Sequence, residues 1–115
     1  MKSTNTGFPP AVKAVVDARS GAVCEVCGEE RVTEYHHRRP RAMGGSRAPE
    51  TNAASNALGV CWNCHKAIES HRRIAIRCGW LVPQRENPAV VAVIYRGLPV
   101  LLGEHGEITE ARWAS

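Results

Sequence analysis

Five cysteines and five histidines occur in this 115-residue chain, and several stand at spacings from which metal sites are made. Cys24-x2-Cys27 and Cys61-x2-Cys64 are two CxxC knuckles separated by 33 residues. Each knuckle offers two thiolates from one turn, and two knuckles complete the tetrahedron of a structural Zn²⁺. A filled tetrahedron has no open position, so such a zinc holds the fold and does no chemistry. Two disulfides, or one redox CxxC beside an unrelated pair, are the other uses of the same residues. Cys78 has no partner in the pattern and reads as a small buried hydrophobe.

His36-His37 and Asn56 lie between the knuckles, and His65 directly follows Cys64. Adjacent residues on a strand face opposite ways, so His36 and His37 serve one site only if the strand ends and bends there. Metal-assisted hydrolysis needs a neutral imidazole as a ligand and a second imidazole, outside the coordination shell, that takes a proton from water. His65, at the start of a helix, can add a further metal ligand. Asn56 can hold the loop in shape or orient the base. Arg38, Arg39 and Arg41 can hold phosphates.

Charge follows the same segment. Residues 31–77 carry nine basic and three acidic groups, whereas the flanking segments are each net −1. Twelve of the 15 basic residues are Arg, the better bidentate phosphate partner. A polyanion-binding face, nucleic acid above all, is expected there; a solvated basic surface is the plainer reading. Arg47, Lys66, Arg72 and Arg73 complete the expected DNA-contacting set. At 43% hydrophobic and 23% charged the chain is not a disordered one. No apolar run approaches the ~18–20 residues of a membrane span. The opening residues lack the apolar core of a signal peptide, so a cytoplasmic protein is expected, and in that reducing setting zinc is favoured over disulfides.

The elements that must position these residues can be read in outline. Pro9-Pro10 before Ala11–Arg19, with Gly21 after it, predicts a helix over about 10–20 whose valines Val12, Val15 and Val16 face a core. Arg31–His37 reads as a strand, residues 40–57 as a long loop, and His65 to about Arg77 as helix. Val90–Tyr95 is a strong β run, turned by Arg96–Pro99 and returned by Val100–Leu102. An α+β domain follows: a flexible tail over 1–8, a metal-stapled core over 9–78, and a β hairpin or meander over 79–115 packed on it.

A knuckle, His36-His37-Arg38-Arg39-Pro40-Arg41-Ala42-Met43-Gly44-Gly45, Asn56, and then Cys61-x2-Cys64-His65 resembles the HNH endonucleases, most closely small members encoded in actinobacterial phages and prophages. The likeness is strongest over residues 22–72. It implies a ββα-metal (His-Me finger) core with the zinc in its four-cysteine site. It also implies His36 and His65 as ligands of a catalytic Mg²⁺, Mn²⁺ or Ni²⁺, His37 as general base, and Asn56 as the middle member of the triad. Some members carry a further histidine one turn after the last motif histidine. Glu69 stands there instead and could ligate directly, ligate through water, or sit on a solvated face. His71 and His105 read as bystanders. The implied function is DNA phosphodiester hydrolysis with weak sequence specificity, in company with phage terminase or other packaging proteins. The rivals are a non-catalytic zinc-stapled nucleic-acid-binding module and a packaging accessory domain that binds protein.

Overall fold

A computed structural model describes residues 7–40 and 49–112. Helix α1 (Pro10–Ser20) begins with proline and is closed by Gly21, whose left-handed backbone returns an N–H to the Asp17 carbonyl at 2.9 Å. Val16 is buried, and Val12 and Val15 are half-buried. Val16 packs with Ala57 and with Phe8, and Phe8 is only 4% exposed. The expected tail over 1–8 therefore needs correcting at its last residue: an apolar ring that close to a core face is drawn into it.

Strand β1 (Glu34–His37) pairs antiparallel with β2 (Ala57–Val60), setting His36 opposite Leu58 and His37 opposite Ala57. All four β2 residues are buried, as a strand covered on both faces requires. The segment between β1 and β2 includes two 3₁₀ turns, Pro49–Asn52 and Ala54–Asn56. Arg41, Arg47 and the Gly44-Gly45 pair lie outside the described residues.

Helix α2 (Trp62–Ser70) follows β2 directly, capped by Cys61, whose Sγ accepts the Cys64 N–H at 3.4 Å. The single helix expected to about Arg77 is two: the backbone breaks at His71 (φ −126°, ψ 64°), and α3 (Arg72–Arg77) follows. The break lets α3 leave the α2 axis, and Ile68 and Ala75 close on Leu81 in one small core. At the exit of α3, Gly79 has φ +76°, and a Cβ there would run into the Ala92 carbonyl, so the turn is reserved for glycine.

The C-terminal meander is formed by β3 (Val93–Tyr95), β4 (Leu98–Leu102) and β5 (Ile108–Glu110), each antiparallel to the next. The run from Val90 starts as strand only at Val93, because Pro88 opens a 3₁₀ turn over Pro88–Val90. Val93, Tyr95, Val100 and Leu102 pack with Leu58, Val60, Cys24 and Cys61, so the meander and the knuckles share one core. Glu25, inside the first knuckle, is fully buried. It accepts two 2.7 Å bonds from Arg19, one of 2.7 Å from Tyr95 Oη and one of 2.9 Å from the Gly59 N–H. A buried carboxylate satisfied this fully ties the knuckle to α1, β2 and β3. Among the described residues, no helix is long and apolar enough to cross a membrane.

Candidate metal centres

The four knuckle sulfurs of Cys24, Cys27, Cys61 and Cys64 lie within 4.8 Å of one another, so the cluster can bind a metal such as zinc. Backbone N–H groups point at three of them: Cys27 to Cys24 Sγ and Glu29 to Cys27 Sγ, both at 3.5 Å, and Cys64 to Cys61 Sγ. Amide donors favour the thiolate form that a metal requires. Burial raises the Cys24 thiol, yet the N–H groups of Cys27, Cys61 and Val26 outweigh it and bring the group down to about 7. Burial pushes Cys64 up instead, and the facing sulfurs Cys61 and Cys24 add to the rise. Packing four thiols this closely makes full ionisation unfavourable until a cation neutralises them.

A second cluster stands on β1 and α2. Donor atoms of His36, His65 and Glu69 lie within 4.8 Å of one another. The two imidazole centroids are 5.1 Å apart and inclined at 65°. β1 supplies His36, and α2 supplies His65 and Glu69 one turn apart. Each ring is oriented from behind. His36 Nε2 donates to the Trp80 carbonyl at 2.7 Å, which puts the lone pair of the neutral ring on Nδ1. The Trp80 backbone is itself held, since its indole N–H donates to the Ile94 carbonyl at 2.8 Å. His65 Nδ1 bonds the Glu34 carboxylate, and Nε2 lies 3.7 Å from Glu69 Oε2. A carboxylate behind an imidazole whose other nitrogen faces a second acidic group is the usual support of a histidine ligand. Burial lowers His36 to about 4 against the pull of the Trp80 carbonyl, so it is neutral at pH 7, as a ligand must be. Two imidazoles and a carboxylate suit a divalent first-row ion or Mg²⁺, with positions left over.

His37 opens on the same cleft, of about 280 Å³, lined by Tyr35, His36, His37, Pro40, His65, Glu69 and Leu81. Its Nε2 donates to Asn52 Oδ1 at 3.1 Å, and its ring stacks on Phe8 at 3.8 Å and 14°. The neighbouring pair thus splits as strand alternation requires: His36 is buried and His37 half-buried, with the cleft reached by both where β1 ends.

No family model, curated protein or solved structure matches this chain.

Several expected roles change. Asn56 is fully buried, and its side chain staples backbone: Oδ1 accepts the Arg39 N–H at 2.7 Å, and Nδ2 donates to the carbonyls of Thr51 at 2.8 Å and Arg39 at 3.2 Å. Of its two sequence-level uses, holding the loop is the one its bonds serve. Arg38, expected on phosphate, is instead fully buried. Its guanidinium donates to the carbonyls of Gly79, Ser55, Pro88 and Val91 at 2.8–3.0 Å. Arg39, 7% exposed, donates to the Glu86 and Gln84 carbonyls at 3.0 and 3.5 Å. Both are removed from the phosphate-contacting set, because the chain after β1 turns inward where their charge is spent on main-chain oxygens. Lys66, Arg72 and Arg73 are exposed on α2 and α3. His71 and His105 are exposed and apart from the cleft. Sequence reasoning missed Glu34, Asn52 and Phe8. Glu34 had a signal, since it precedes His36 by two residues and so shares its strand face.

Proposed function

We propose that the protein is a metal-dependent endonuclease of the HNH type that hydrolyses DNA phosphodiester bonds. The observation that supports this most is the meeting of His36, His65 and Glu69 donor atoms within 4.8 Å in a cleft that His37 also lines. β1, β2 and α2 would form its ββα-metal core, the four cysteines would hold zinc, and phage packaging proteins are the partners that the family likeness suggests.

His36 Nδ1, His65 Nε2 and the Glu69 carboxylate would hold the catalytic divalent cation. When bound, that ion supplies positive charge to the phosphate oxygens and to the leaving 3′ oxygen. The remaining steps belong to the protein. Asn52 fixes the tautomer of His37 by accepting from Nε2, so the basic lone pair sits on Nδ1. The imidazole would take a proton from the attacking water as its oxygen bonds to phosphorus and the P–O3′ bond breaks, and the departing 3′ oxygen would take a proton from solvent, giving 5′-phosphate and 3′-hydroxyl ends. General-base help of this kind is worth about 10²–10⁴-fold. Phe8 holds the ring plane by stacking. Trp80 and Glu34 keep the ligand rings aimed.

The test is supercoiled plasmid incubated with Mg²⁺, Mn²⁺ or Ni²⁺. Nicking by the wild type is expected, with loss in EDTA, in His37→Ala and in His65→Ala. Plasmid binding without cutting under every metal would overturn the reading and leave a zinc-stapled nucleic-acid-binding module.

A further inference from the structure

Trp62 is 56% exposed at the first position of α2. An indole exposed to that extent offers a flat apolar face on which another ring can stack. Lys66, one turn on, lays its ammonium over the indole ring, 4.5 Å from its centre, so a base seated on that face moves this flexible side chain toward the adjoining phosphate. The pair borders a cleft of about 320 Å³ whose lining comprises Glu34, Trp62, His65, Lys66, Glu69 and Ser70. That volume is at the lower end of small-ligand sites, roughly 300–1,000 Å³. His65 and Glu69 also line the cleft of His36 and His37, so the two depressions meet at the candidate metal ligands.

We infer that Trp62 and Lys66 form a stacking platform for an unpaired nucleotide, so that the site works on single-stranded or locally unpaired DNA. The inference rests on the proposed nuclease reading. Every base has a π-face that an indole can stack on, and an adjacent cation takes the phosphate next to it. Duplex DNA hides those faces and offers only base edges and phosphates. Trp62 to His65 is one turn of one helix, and so is Lys66 to Glu69, so a base seated on the indole sets its neighbouring phosphodiester toward the ligand cluster. The two acidic groups in the depression do not oppose this: Glu34 is engaged by His65, and Glu69 faces His65 Nε2, where the cation would sit.

The experiment uses the full zinc-loaded chain without added divalent metal. It compares the affinity for a labelled oligo(dT) strand and for a hairpin duplex. Tighter binding of the single strand is expected. Trp62→Ala should weaken that binding roughly tenfold with an unchanged unfolding midpoint, and Trp62→Phe should restore much of it. Duplex binding should not move. Equal affinity for strand and duplex, or a loss in Trp62→Ala shared by both, overturns the platform. If alanine disturbs the knuckle, tryptophan fluorescence decides: quenching by oligo(dT) must be present in the wild type and absent in Trp62→Phe. Platform binding with no plasmid nicking would sink the nuclease reading alone. Nicking with strand affinity indifferent to Trp62 would sink the platform alone.

Discussion

Glu34 is the residue on which the geometry of the cleft turns most sharply. It does not face the shared donor position, yet it holds His65 Nδ1 and so sets both the tautomer and the azimuth of that ring. Partners of this kind typically govern metal affinity by about 10–100-fold. Glu34→Gln keeps the shape but loses the charge behind the imidazole. Calorimetric titration of Mn²⁺ into the variant should show weaker binding in that range, with the cysteine cluster still loaded. Unchanged Mn²⁺ affinity would mean that His65 is not a ligand. The sequence made the two histidines that meet in this cleft legible as candidates because each sits beside a knuckle or in a pair. The residues behind them were harder to read, since an acidic residue on a strand usually faces water.

At the scale of elements, the joint between β1, the Ala54–Asn56 turn, the α3 exit and the Pro88–Val90 turn is made by one side chain. Arg38 bonds a carbonyl from each of the last three and one from Val91, while its own carbonyl accepts the Val82 N–H at 2.8 Å. Burial lowers the guanidinium to about 10, so it remains charged at neutral pH. Arg38→Met fills much of the volume but strands four acceptors in the interior. A loss of about 3 kcal/mol or more is expected from urea unfolding; a change under about 1 kcal/mol would mean that water replaces the guanidinium. This joint was not legible in the sequence. An arginine next to a histidine pair in a basic segment looks like a phosphate contact, and its four acceptors lie 17 to 53 positions away. α1, the strand at His36-His37 and the meander were legible because proline, glycine and β-branched runs act locally. The break at His71 was not, because it serves a contact with Leu81 made across the fold.

For the whole molecule, acid stability carries a signature of the buried imidazole of His36. His36 is held at about 4 in the folded chain, against about 6.5 when unfolded. Between those values the unfolded chain binds the extra proton, so stability is full above about pH 6.5 and falls as pH drops toward 4. The share of His36 is on the order of 3 kcal/mol. Urea midpoints measured from about pH 7 to about 4.5 should fall less steeply in His36→Gln, whose amide can still donate to the Trp80 carbonyl. The slope that remains belongs to the other titrating groups. Identical slopes in the two proteins would show that the imidazole is open to water.

The second knuckle is also the opening of α2: Cys61 caps the helix, Cys64 lies in its first turn, and His65 comes next. One span of backbone therefore sets the phase of both donor clusters. Inserting a single residue between Cys64 and His65 would leave all four sulfurs in place and swing the imidazole by about 100° around the helix axis. The chain length between the two clusters is thus a fixed gear ratio, and a change of length at this joint would turn one cluster away from the other.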